Sequence, residues 1–205
     1  MKIKSVFLLS VVLSAIITSR VAAGGYFMPW KVATSSSPTL LFTSINTTGE
    51  GTWNFGGGGS AGVVGSKAAQ QSFTNATTRN VTAIKFLLDS LGTVTGRTLF
   101  CQIYNASGTA LGSSVATSNG VTGAAWTKQL IEFTFTGGAT LTGGNTYHVL
   151  IYSAQDAFGG SFNTYYTNPS VISGQLSLFD TSGTNSYPST FPGYDLQVEI
   201  WGTTP

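Results

Sequence analysis

The chain predicts an all-β fold, a jelly-roll-like sandwich of two antiparallel sheets preceded by an N-terminal signal or anchor helix. Three observations carry that expectation. Apolar residues recur at every second position in successive windows, glycine- and asparagine-rich reversals separate those windows, and no window beyond the N-terminal leader keeps a convincing helical period. Strands patterned this way bury one face each, and two sheets packed face to face are the arrangement that dries all of those faces at once.

The opening MKIKSVFLLSVVLSAIITSRVAAGG places Lys2 and Lys4 ahead of an apolar run from Val6 to Ile17, with small residues behind it. Residues 1–23 therefore read as a secretory signal peptide cleaved after Ala23, retention as an anchor being the alternative. The run is shorter than the roughly 20 residues that a bilayer-spanning helix needs, and Arg20 closes it. The expected location is secreted or cell surface, with no membrane segment after cleavage.

Residues 24–59 differ in character, from the aromatic and proline-marked GGYFMPWKVATSSSPTLLFTSI to the start of the glycine tract GGGGSAG at 56–62. They are expected to form either first strands or an extended arm that docks on a neighbour's sheet edge through main-chain hydrogen bonds. Residues 60–205 are expected to be the sandwich. In VTAIKFLLD the inward set is Ile84, Phe86 and Leu88; in TLFCQIYN it is Leu99, Cys101 and Ile103. QLIEFTFTG offers Ile131, Phe133 and Phe135, TYHVLIYSA offers Tyr147, Val149 and Ile151, and YDLQVEIWG ends the series with Leu196, Val198 and Ile200. NASGTALGSS, FTGGATLTGGN and FDTSGTN read as the turns between strands, their Gly and Asn supplying positive φ.

Charge excludes several functions. The leader takes Lys2, Lys4 and Arg20 with it, so nine basic residues become six against seven acidic ones and the mature chain is near neutral. The six, Lys31, Lys67, Arg79, Lys85, Arg97 and Lys128, are scattered singly, which makes nucleic acid an unsuitable partner. Cys101 is alone, so no intrachain disulfide can form, and its setting in LFCQIY points to a buried apolar role. The sequons at Asn46, Asn75, Asn80 and Asn105 are what chance supplies in a chain so rich in Asn and Thr.

The succession QSFT, VTAIKFLL, LFCQIYNASGTALGSS, WTKQLIEFTF, LTGGNTYHVLIYS and DLQVEIWG resembles the choice-of-anchor R type of surface domain over residues 60 to 202. The resemblance rests on packing and turn signatures. It implies a jelly-roll-like sandwich, export and surface display, with carbohydrate-binding modules as distant structural cousins and no catalytic set to carry over.

The residues themselves point away from catalysis. Gly58, Ser60 and Gly62 match the letters of a nucleophile elbow, and Gly57, Gly59 and Gly62 those of a dinucleotide fingerprint, but neither has the strand and helix that the chemistry needs. His148, the one histidine, lies inside TYHVLIY and reads as structural; one His and one Cys are too few for a zinc site of the usual N and S ligands. No cofactor is expected; calcium held by Asp156 or Asp180 in loops is the metal site considered. Nothing in the sequence pairs the carboxylates as a glycosidase would.

Aromatic residues are the most suggestive group. Trp53, Trp126, Tyr165, Tyr166, Tyr187, Tyr194 and Trp201 include rings at strand ends, where a flat face can stack on a sugar. Tyr165, Tyr166, Tyr187 and Tyr194 are the candidate ligand-binding residues; Tyr165 and Tyr166 must face opposite sides if extended, and Trp126 is expected to cover the core. The expected function is a non-catalytic module that grips a glycan or cell-surface polymer. The alternative is a structural subunit of a filament, sheath or virion that self-assembles by strand exchange through the N-terminal arm.

Overall fold

The computed structural model describes residues 37–55, 68–107, 110–153, 160–168, 176–179 and 189–204, all within the unit Ser35–Pro205. None of these residues is helical. The described strands are β1 (Thr39–Thr43), β2 (Gly51–Phe55), β3 (Ala68–Thr74), β4 (Arg79–Gly92), β5 (Thr98–Ser107), β6 (Ala110–Thr117) and β7 (Val121–Thr122), followed by β8 (Gln129–Leu141), β9 (Thr146–Ser153), β10 (Gly160–Thr167), β11 (Leu176–Phe179), β12 (Ser189–Phe191), β13 (Asp195–Leu196) and β14 (Val198–Thr203).

They form two antiparallel sheets packed as a sandwich. In the first, β4 is the spine: β8 runs along one edge of it, while β14 and β10 share the other edge end to end, against residues 80–86 and 88–92 respectively. Outside them, β1 pairs with β14 and β2 pairs with β10. The second sheet has the order β12-β11-β3-β9-β5-β6, with β7 also on β5.

Period two decides which side chains meet. All fifteen residues of the five inward sets are at most 9% exposed. Phe86 and Phe133, diagonal neighbours on β4 and β8, meet edge-on with ring centroids 5.9 Å apart. Each such ring withdrawn from water contributes about 1.5–3 kcal/mol before conformational entropy is counted.

One reading of the chain changes in space. FTGGATLTGGN is not one reversal, because β8 continues through FTGGATL and only the following residues, from Thr142, turn the chain. Gly137 (φ 80°) and Gly138 (φ 75°) use their left-handed conformations for a bulge: Ala83 faces Thr134 and Val81 faces Ala139, so Phe135–Gly138 lie against Thr82 alone. The bulge re-aims β8 so that Ala139 and Leu141 still point into the core. In the described part of the segment ahead of the glycine tract, Thr39–Thr43 pairs with β14 of the same chain. Residues 1–36 and the glycine tract 56–62 lie outside the described residues.

One polar link crosses the apolar interior. Gln71 shares the inward face of β3 with Ala69 and Phe73 and is fully buried. Its Nε2 donates to Asp195 Oδ1 at 3.0 Å, and its Oε1 accepts from the Leu196 backbone N–H at 2.8 Å, tying the second sheet to β13 of the first. Gln71→Met keeps the volume but removes both bonds, so it is expected to lower unfolding free energy by about 2–4 kcal/mol in a denaturant titration. An unchanged midpoint would show that the link adds nothing.

Candidate functional site

The alternation of β10 splits the two adjacent tyrosines. Phe162, Thr164 and Tyr166 take the inward side, where Phe162 packs on Phe55 and Trp126, and Tyr165 takes the outward side. Tyr166 lies at the margin of the sandwich rather than in its middle. Across β2 it faces Gly51, where a Cβ would come within 2.2 Å of the Tyr166 hydroxyl, so only glycine leaves room for the ring.

Around Tyr166 stand three more rings. Tyr194 meets it edge-on at 5.3 Å, Trp53 lies 6.2 Å away, and Phe191 is 5.1 Å from Trp53 and 6.2 Å from Tyr194. All four are half-buried, packed against the core on one side. Phe191 and Tyr194 are brought together by the turn Phe191-Pro192-Gly193-Tyr194, in which Tyr194 N–H donates to Phe191 C=O at 3.4 Å and Gly193 has φ 85°. Proline followed by a positive-φ glycine is the signature of a type II turn. Phe191 was not among the sequence candidates, yet FPGY carries the signal that finds it: a tight turn holds its flanking residues side by side.

Tyr165 belongs to a different surface, the outward face of the first sheet. It is only 8% exposed. Its hydroxyl donates to Asp89 Oδ2 at 2.6 Å, and the Lys128 ammonium lies 4.9 Å from its ring centroid. Lys128 also pairs with Glu50, whose other oxygen accepts from Gln197 Nε2 at 2.9 Å. Burial pushes the Tyr165 phenol up to about 12, with the Asp89 hydrogen bond and charge adding to it. The hydrogen bond from Lys128 holds the Glu50 carboxyl below its ordinary value. Along the same face Lys85 pairs with Glu132 at 3.2 Å and sits 4.7 Å from the Trp201 ring centroid, and Trp201 Nε1 donates to Glu199.

The described structure thus gathers Tyr166 and Tyr194 with Trp53 and Phe191 and sets Tyr165 apart, while Tyr187 lies outside the described residues, as do Asp156, Asp180 and Ser60. His148 is buried on the outward face of the second sheet, where Gln70 Nε2 meets its Nδ1 and desolvation lowers its pKa. Cys101 is fully buried and its thiol is pushed well up by desolvation. Trp126 packs against the core, 5.5 Å from Phe162, as expected. Among the described residues no three His, Cys, Asp or Glu side chains converge as metal ligands do. Compared with protein-family models and with curated proteins, the chain matches none.

Because the Tyr165 phenol is raised, the native state holds its proton where an unfolded chain has lost it. Its contribution to stability is complete below about pH 10, the ordinary tyrosine value, and is lost as pH rises through about 12. In a spectroscopic titration one tyrosine is expected to ionise near pH 12, and Asp89→Asn is expected to bring that step down. A step that stays put in the variant would separate Tyr165 from Asp89.

Proposed function

We propose that this protein is an exported, non-catalytic surface module that binds a glycan or cell-surface polymer. The observation that carries the reading is the cluster of Trp53, Tyr166, Phe191 and Tyr194, four contiguous half-buried rings at a sandwich margin. Rings braced from behind by a core keep their orientation, so little side-chain entropy is lost when a sugar face stacks on them. The surrounding chain is rich in hydroxyl and amide side chains, which suit hydrogen bonding to sugar hydroxyls. Tyr165 stands on the opposite face of β10 and braces that strand from behind the cluster.

The jelly-roll-like description and the kinship with choice-of-anchor R surface domains are part of the same proposal. Between β3 and β10 the chain crosses repeatedly between sheets: β3 lies in the second, β4 in the first, β5, β6 and β7 together in the second, β8 in the first, β9 in the second and β10 in the first. The leader supports secretion or surface display, and no nucleic acid or, once the leader is cleaved, membrane partner is proposed.

A second reading has its own observation. β1 is a five-residue strand hydrogen-bonded to β14 on the edge of its sheet, so an identical strand from a neighbouring copy could replace it and build a filament or sheath.

Polysaccharide pull-down and glycan-array binding test the first reading. Trp53→Ala and Tyr194→Ala are each expected to weaken binding about tenfold, since a central aromatic anchor is worth about 1–2 kcal/mol. Binding to nothing across a broad panel, or binding indifferent to both changes, overturns it.

A further inference from the structure

A cavity of about 160 Å³ opens at the end of the sandwich where β3 passes to β4, away from the aromatic cluster and sharing no residue with it. Phe42 of β1, Phe73 of β3, Val81 of β4, Leu141 of β8 and Ile200 of β14 give it apolar walls drawn from both sheets. Phe73, Val81, Leu141 and Ile200 are buried, so the walls belong to the packed core and not to a mobile surface.

Arg79 also lines the cavity. It stands two residues before Val81 on β4, hence on the inward face, and is half-buried. A charge on a core-facing position is ordinarily met by a carboxylate. Among the described residues Arg79 has no such partner: the ion pairs there join Lys85 to Glu132 and Lys128 to Glu50, and no hydrogen bond from its guanidinium occurs. The neighbouring amide is committed otherwise, since Asn75 Nδ2 donates to the Leu141 and Thr142 carbonyls.

We propose that this cavity binds a small carboxylate with an apolar body of about benzene size, the body against Phe42, Phe73 and Leu141 and the carboxylate on Arg79. The size follows from volume, because an apolar cavity of about 150 Å³ accepts benzene. The charge follows from the guanidinium, whose planar fork suits a carboxylate better than any neutral group.

The test uses the whole protein and benzoate, followed by amide shifts in a heteronuclear NMR spectrum. Benzoate is expected to bind saturably with Kd on the order of 1 mM, shifting amides between Phe73 and Val81. Benzyl alcohol, of the same shape without the charge, and acetate, with the charge and no ring, are each expected to bind at least about tenfold more weakly. Arg79→Gln is expected to cost about tenfold for benzoate, and its otherwise unchanged spectrum checks the fold; should that variant unfold, Arg79→Lys keeps a charge and is expected to retain part of the affinity. No saturable benzoate shift, equal binding of benzyl alcohol or acetate, or undiminished binding to a folded Arg79→Gln or Arg79→Lys protein overturns the assignment. Glycan binding stands or falls separately, on Trp53 and Tyr194.

Discussion

The shared dry interior between two sheets is the constraint on which the remaining features rest, and β4 is its spine. Ile84, Phe86 and Leu88 are fully buried, and the same strand carries β8 on one edge and both β14 and β10 on the other. The split on that second edge lets two chain segments share one lane. Gln197 marks the join, accepting from Leu87 N–H and donating its own N–H to Tyr165 C=O, while Ser44 bonds to both Leu196 and Val198 beside it. The buried link from Gln71 to Asp195 and Leu196 reaches this region from the facing sheet, so the join is held from two sides. Gln71, Asp195 and Ser44 are tolerated this deep because they are hydrogen-bonded, whereas Gln197 keeps its buried Oε1 without a partner.

The sandwich also sorts the few charges. Lys85, Asp89, Lys128, Glu132, Glu199 and Glu50 gather on or beside the outward face of the first sheet, in two small networks around Trp201 and Tyr165. The described outward face of the second sheet carries none: Ala68, Gln70, His148, Leu150, Tyr104 and Tyr152 stand there, with Phe100 stacked on Tyr152 at 5.8 Å. Desolvation raises Tyr104 and Tyr152 and lowers His148, three signs of the same low-polarity surroundings. The few charged side chains of the described residues thus gather on one sheet, and the described outward face of the other is uncharged and largely buried.

Strand existence and facing were legible in the amino-acid order because period-two alternation is local: each inward set, from Ile84 to Ile200, needs only its own window. Glycine reversals were harder to read. TGG at 136–138 and TGG at 142–144 look alike, yet one forms a bulge and the other a turn, since the outcome depends on whether a partner strand continues past. Among the candidate tyrosines, the opposition of Tyr165 and Tyr166 followed from alternation. Their environments did not, for Asp89, Lys128 and Glu50 approach Tyr165 from 76, 37 and 115 positions away along the chain.

What the sequence alone determined is therefore the class of fold and the inward residues, both of which rest on short-range pattern. Tertiary structure decided which strands became neighbours, that Trp53 and Phe191 would join Tyr166 and Tyr194, and that Arg79 would line a cavity walled by five strands. The physical reason is that alternation specifies the face of a side chain and says nothing of its partner. Partners come from the pairing of strands distant in sequence, which only closure of the two sheets over a common core selects.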